Sequence, residues 1–245
     1  MLIAIFTDIH GNREAFEACL TDVQRQPIDR YVFLGDYVGY GADPGFVVDT
    51  VKDFVKRGAV ALLGNHDSAA IGTAENMNSA AARAIEWTRR QLSPAQIDFL
   101  RRRPLIHTDG DRLCVHASAD APQEWDYVID AGAAERSFAA TAARLTLCGH
   151  THVPLLFKQS AHGRLAEFAP TAGVAIPCRD GRILAVIGAV GQPRDRNPDA
   201  CYALHDDAAG TLTYIRVPYD IDAAAKKIRA AGLPAMLAAR LAFGQ

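Results

Sequence analysis

Residues 2–36 decide how the fold is read: LIAIFTD (2–8), a short IHGN turn (9–12), REAFEACLTDVQRQ (13–26) and RYVFLGD (30–36). The outer pieces are apolar runs of strand length that each close on an aspartate, and the piece between the turn and the second run is helical in composition. The pattern then repeats, with PGFVVDTVKDFVKRG (44–58) as a helix opened by Pro44 and AVALLGNHD (59–67) as a further strand. Strands alternating with helices predict a parallel sheet joined by right-handed crossovers.

Residues 78–103 are helical in composition, with Ser93-Pro94 separating two helices. Short strand candidates follow: LIHT, DRLCVHA, RLTLCGH, PLLFKQ, RLAEFA, RILAVIGAV, ACYALHD and TLTYIRV, interrupted by a helix near Asp130 to Ala140. No Gly/Ser or Pro-rich linker separates the two halves, so residues 1–245 read as one domain. The tail from about 220 to 245 reads as a helix, a Gly232-Leu233-Pro234 break and a second helix, expected to pack against the body rather than carry chemistry.

Composition sets limits. The chain has 245 residues, 49% of them apolar, enough for a buried core. Its formal charge of −2 provides no basic field for nucleic acid and no polybasic membrane tract. The apolar start is short and lacks a basic region before it, and no run approaches the ~20 apolar residues of a membrane span. A cytoplasmic location is expected. Five cysteines without C-x-x-C spacing (Cys19, Cys114, Cys148, Cys178, Cys201) read as reduced thiols.

The strand ends share a habit. Asp8 and His10 follow the first apolar run, Asp36 the second, Asn65 and His66 the third, His116 the LCV run, and His150 with His152 the LTLC run. All are candidate metal ligands or proton carriers, and ligands in open α/β sheets bind at the carboxyl ends of strands. Gly11, Gly35, Gly64 and Gly149 stand beside them, where a chain leaving a strand turns sharply.

Taken in order, DIHGN, GDYVGYG, GNHD, the lone His116 and GHTH resemble the motif series of the calcineurin-like metallophosphoesterase superfamily. An amidohydrolase would open with His-x-His on its first strand, a metallo-β-lactamase would need an H-x-H-x-D-H run, and GYGADPG has the wrong spacing for a dinucleotide loop. The resemblance implies an α/β fold of two packed mixed β-sheets flanked by helices, in four layers α/β/β/α. Residue by residue, it places Asp8, His10, Asp36 and His152 on one divalent ion and Asp36, Asn65, His116 and His150 on a second. Asp36 would bridge them, its two oxygens and full charge offsetting the repulsion between cations. A shell of nitrogen and oxygen without thiolate suits Mn2+ first, with Fe, Zn2+, Ni2+ or Co2+ as alternatives. A hydroxide between such ions attacks phosphorus in line. His66 resembles the family histidine that contacts phosphate and protonates the leaving oxygen.

Departures from the family narrow the substrate. Where its protein phosphatases carry Gly-Asp-x-x-Asp-Arg-Gly, this chain has Gly39 and Tyr40 in place of the second Asp and the Arg, which disfavours a protein phosphatase. The chain looks closer to the compact bacterial branch of phosphodiesterases and diadenosine tetraphosphatase-like proteins. Its VGQPRDRNPDACYAL loop makes Arg194 and Arg196 candidates for a distal phosphate. Asn12 contacts substrate or caps the helix after it. Trp125 and Tyr127, in the segment after His116, are placed to wall the cleft or to fill core. Arg101-Arg102-Arg103 reads as a solvated helix end and Cys114 and Cys148 as packing. The expected function is hydrolysis of a phosphodiester or nucleotide-type phosphoanhydride, acting on a small phosphorylated or nucleotide substrate. Alternatives are a broad phosphomonoesterase and a metal-binding scaffold, which all seven ligand positions argue against. Oligomeric state is not legible.

Overall fold

The computed structural model describes residues 1–72 and 77–245. The chain opens with β1 (Leu2–Phe6), α1 (Arg13–Val23), β2 (Arg30–Phe33), α2 (Pro44–Lys56) and β3 (Val60–Ala61). The three strands are parallel, with Ile5 opposite Val32 and Phe33 opposite Ala61, as right-handed crossovers require. Helices α3 (Asn65–Ile71), α4 (Ser79–Gln91) and α5 (Pro94–Arg101) follow. At the start of α5, Ser93 Oγ accepts the Gln96 N–H while Gln96 Oε1 accepts the Ser93 N–H, a reciprocal cap.

The second half supplies β4 (Ile106–Asp109), β5 (Arg112–Val115), α6 (Ala131–Ala139), β6 (Leu145–Cys148), β7 (Leu155–Gln159) and β8 (Leu165–Phe168). Then come β9 (Ala175–Pro177), β10 (Arg182–Val186), β11 (Ala200–Asp206) and β12 (Thr211–Val217), and last α7 (Ile221–Ala230), α8 (Ala235–Ala239) and a 3-10 turn (Arg240–Phe243). Among the described residues the strands form two mixed six-stranded sheets, ordered β3-β2-β1-β11-β12-β9 and β4-β5-β6-β10-β7-β8. This is the expected four-layer sandwich.

Period-two alternation assigns the layers. In β1, Ile3 and Ile5 face the other sheet and join Val32, Leu145, Leu147 and Ile183, whereas Ala4 and Phe6 face α1 and α2 with Phe16, Phe33, Val47 and Val51. The outer face of the second sheet packs Leu113, Val115, Leu184 and Val186 beneath Phe138 and Ala134 of α6. Helices α7 and α8 pack on α4 and on Tyr40 through Ala224, Ile228 and Leu237. All five cysteines are free and buried. Among the described residues no helix is long and apolar enough to cross a membrane.

Two elements differ from the sequence reading. The strand expected over 59–67 is only two residues long: past it the Leu63 N–H turns to the Pro104 carbonyl at 2.9 Å, and Asn65 begins α3. The expected run of short strands also lacked β9, an edge strand ending on Pro177, where no inner neighbour needs the missing N–H.

Phe6 is the hub of the inner helix-facing layer, stacked 5.5 Å from Phe33 and 5.1 Å from Tyr202 and edge-on to Phe16 at 6.2 Å. Phe6→Ala is expected to lower the unfolding free energy by about 3–5 kcal/mol. Urea denaturation of the metal-free protein measures it, and a loss under about 1 kcal/mol would show that the layer collapses around the vacancy.

Candidate metal centre

The carboxyl ends of the parallel strands bring the candidate ligands to one edge. Asp8 and His10 leave β1, Asp36 leaves β2, Asn65 and His66 begin the helix after β3, His116 leaves β5, and His150 and His152 leave β6. All are buried except half-buried Asn65. They form two groups that share one residue: Asp8, His10, Asp36 and His152, and Asp36, His116 and His150. Asn65 joins the second, its Oδ1 lying 3.2 Å from His116 Nε2.

Each carboxylate is held by one oxygen and offers the other. Asp8 Oδ2 accepts from Thr7 Oγ1 at 2.7 Å and from the His150 N–H at 2.9 Å, leaving Oδ1 without a partner. Asp36 Oδ1 accepts the His66 N–H at 2.8 Å, and Oδ2 has none. That Oδ2 lies 3.5 Å from both His10 Nε2 and His116 Nε2, one imidazole from each group. Asp36 thus stands between the two groups, with Oδ2 facing an imidazole of each and Oδ1 carrying a single hydrogen bond.

The imidazoles are oriented in the same way. The Nδ1 atoms of His10, His116 and His152 contact the carbonyls of Val38 (2.9 Å), Leu34 (3.0 Å) and Gln192 (2.6 Å). A carbonyl only accepts, so each Nδ1 carries the hydrogen and each Nε2 turns its lone pair inward. His10 Nε2 and His152 Nε2 thus face each other at 3.0 Å, and His150 Nε2 is buried without a partner. Acceptors crowded together without donors are costly unless a cation sits among them. An ion with ligands about 2.1 Å away spaces neighbouring ligand atoms about 3 Å apart. The chain's own donor set fits that description.

Charge follows the same logic. Burial, reinforced by the charge of Arg194, pushes His152 down to about 3, and burial with His116 nearby pushes His150 to about 4. Burial also acts on His116, yet Asp36 and, behind it, Asp8 and Asp67 raise it to about 9. Without metal, a proton there stands in for a cation. Burial opposes ionisation of Asp8, but His152 and His10 hold its pKa well below the usual carboxylate value.

Five of these residues have left-handed backbones: Asp8, His10, Asp36, His150 and His152, with φ between 51° and 68°. Such conformations are uncommon for side chains other than glycine and persist where surrounding bonds impose them. Here the Asp8 N–H donates to Gly35 O (3.1 Å), the His10 N–H to Asp36 O (2.9 Å) and the Gly149 N–H to His116 O (2.8 Å). A methyl group at Gly149 would collide with Thr7 Oγ1 and Asp8 Oδ2. Beneath the Asp36 turn, Asp67 accepts four backbone N–H groups, from Asp36 (2.8 Å), Gly64 (3.0 Å), Tyr37 (2.9 Å) and Val38 (3.3 Å). Burial and Asp36 push its pKa up while these donors oppose them. The donors decide, because each oxygen already receives two N–H groups and a bound proton would find no acceptor.

His66 packs edge-on to His10 at 4.7 Å and against Tyr40 at 4.5 Å, with Nδ1 buried and unpartnered. Gly39, with φ of 85°, lets that ring lie against the backbone, where any side chain would strike Nδ1. Asn12 is committed at both ends: Oδ1 accepts the Ala15 N–H and Nδ2 donates to Gly191 O, so it is a cap and a tie rather than a substrate contact. Arg194 reaches the cluster, its guanidinium lying over the Tyr40 ring at 5.6 Å. Arg196 is exposed and makes no hydrogen bond or ion pair with the cluster among the described residues. Tyr127 stacks on His150 at 4.1 Å and Trp125 meets His116 edge-on at 5.8 Å. The sequence reading passed over Thr7, Gln192 and Asp67. Only Asp67 carried a signal, closing the GNHD motif three residues after Gly64.

The sandwich and the paired Asp/His groups at its edge define a metallophosphoesterase architecture. The chain belongs to the calcineurin-like phosphoesterase superfamily, whose domain model matches residues 1–209. A metallophosphoesterase from Sphaerobacter thermophilus is 38% identical, with a TM-score of 0.90 over 100% of this chain and 99% of that one. The hypothetical protein PH1004 from Pyrococcus horikoshii OT3, 19% identical, shares the fold with a TM-score of 0.81 over 100% and 98% of the two chains. The uncharacterized protein MJ0912 of Methanocaldococcus jannaschii is 31% identical over 250 residues, covering 100% of this chain and 98% of that protein.

Asp67→Asn replaces one acceptor oxygen by an NH2 group facing backbone donors. It is expected to destabilise the protein by about 2–3 kcal/mol and to weaken metal retention. Denaturant unfolding and metal analysis after dialysis check it; unchanged values in both would remove Asp67 as the support of the Asp36 turn.

Proposed function

We propose that the protein hydrolyses phosphodiester or nucleotide-type phosphoanhydride bonds of a small substrate, with two divalent ions, Mn2+ foremost, as cofactors. The observation that carries this reading is Asp36 Oδ2, unpartnered and equidistant at 3.5 Å from an imidazole of each group. Asp8, His10, Asp36 and His152 would hold one ion, and Asp36, Asn65, His116 and His150 the other. Such a pair supplies positive charge to the phosphoryl oxygens and lowers the pKa of water enough to make it nucleophilic near neutral pH.

The chain's own residues do the rest. The carbonyls of Val38, Leu34 and Gln192 keep the imidazole lone pairs directed inward. His66 contacts the phosphoryl group and passes a proton to the leaving oxygen. Burial is the largest influence on that imidazole and pushes its pKa well down, with Asp36 pulling the other way. A phosphate anion brought against the ring raises it again. Beyond the cluster a cleft of about 520 Å3 runs from Asn65 and His150 past Trp125 and Tyr127 to Ser68 and Met77, room for an organic substituent on phosphorus. The aromatic side chains offer it flat apolar faces.

The test joins metal analysis to a substrate panel of bis(p-nitrophenyl) phosphate, p-nitrophenyl phosphate and diadenosine tetraphosphate with added Mn2+. Asp36→Asn is expected to lose metal and turnover together, whereas His66→Ala keeps both ions and slows turnover by roughly 100-fold. Equal metal loss in the two variants would move His66 into the ligand set. Preference for p-nitrophenyl phosphate would make the enzyme a phosphomonoesterase, and bound metal without turnover of any substrate would leave only a scaffold.

A further inference from the structure

Two guanidinium groups beside the cluster have no acid to pair with among the described residues. Arg194, in the loop after β10, donates through Nη2 to Gln192 Oε1 at 2.9 Å, and Arg240, from the 3-10 turn at the C-terminus, donates through Nη1 to the same oxygen at 3.1 Å. The Nε atom of each is buried without a hydrogen-bond partner, and neither forms an ion pair among the described residues. The contrast with Arg112, which holds Asp109 and Asp207, and with Arg216, which holds Asp195, is direct. Burial, and then the like charge of Arg194, pushes the pKa of Arg240 down, so a bound anion would relieve both.

Their placement gives the pair a target. Gln192 is itself buried, and its carbonyl is the acceptor that orients His152. Tyr40, beneath the Arg194 guanidinium, is in ring contact with His10 at 4.6 Å, so one aromatic ring separates the guanidinium from the candidate ligands. The cleft past Asn65 and His150 is lined by Glu124 and Asp126 and not by the arginines, so the acidic groups nearest the cluster lie apart from them.

We propose that Arg194 and Arg240, gathered by Gln192, form a subsite for a second oxyanion of the substrate, next to the phosphoryl group held at the metal cluster. The inference rests on the phosphoesterase reading and narrows it. The substrate class is a phosphoryl compound with a further phosphate or carboxylate close to the scissile group, such as a phosphoanhydride, rather than a diester with two neutral substituents. Guanidinium forks suit this task because they bind carboxylate and phosphate in pairs of parallel hydrogen bonds. The C-terminal tail, expected only to pack, then supplies half of a binding site.

Calorimetric titration of the metal-loaded protein with non-hydrolysable ligands tests it. Methylphosphonate carries one oxyanion group, methylenediphosphonate a second phosphonate, and phosphonoacetate a carboxylate; the stronger of the last two identifies the second group. At least one of them is expected to bind about tenfold more tightly than methylphosphonate. Arg194→Gln and Arg240→Gln should each reduce that advantage about fivefold or more, with Arg194→Lys and Arg240→Lys intermediate. Circular dichroism confirms that the variants are folded, and the lysine forms carry the comparison if a glutamine form is not. An advantage below about twofold in the wild type, an advantage that survives both glutamine substitutions, or one that tracks metal stripped from the protein overturns the subsite. If methylphosphonate itself fails to bind, the phosphoesterase reading falls and the subsite with it.

Discussion

Two buried carboxylates, Asp8 and Asp36, each keep one oxygen fixed by a backbone N–H and leave the other facing imidazole lone pairs. That arrangement is unfavourable in isolation, because burial penalises the charge and among the described residues no hydrogen bond reaches the free oxygens. The sandwich exists around it: five strands end at one edge and the loops between them are tied to one another. The left-handed turns at the ligands add local strain of order 1–3 kcal/mol each. Cross-loop hydrogen bonds, the Asp67 carboxylate under the Asp36 turn and the well-packed layers on both faces hold the cluster in place without a cation.

Much of this was legible in the sequence, for a physical reason. Buried parallel strands need unbroken apolar runs, so Asp8, Asp36 and His150 stand out at their ends as polar residues where the sheet opens. The alternation of runs and helical segments then told that the ends share an edge. What could not be read depends on partners distant in the chain. Gln192 serves His152 through its backbone carbonyl, which any residue could supply, and its side chain gathers Arg240 from 48 positions away. The start of α3 was hidden because the apolar run leads straight into Gly64 and Asn65 without a side-chain cap. The His66 N–H that Asp36 Oδ1 accepts is likewise set only by that helix.

The positions where the chain departs from the family's protein phosphatases also have a physical account. At Gly39 no side chain stands against His66, and the imidazole lies on the backbone there. Tyr40 replaces a charge by a ring that packs between His10, His66 and the Arg194 guanidinium. Positive charge near the centre therefore comes from a late loop rather than from the turn after β2. Orientation of His66 comes from ring packing rather than from an ion pair.

The turn after β2 contributes more than Asp36. The carbonyls of Leu34 and Val38, on either side of that residue, orient His116 and His10, which belong to opposite halves of the cluster. One five-residue arc therefore sets the aim of a ligand in each half and contributes the oxygen between them. Any displacement of the arc is transmitted to both halves together. A substitution that shifts the arc would therefore re-aim a candidate ligand in each half at once, whereas changes at Asp8, Asn65, His150 or His152, outside the arc, fall on one half alone.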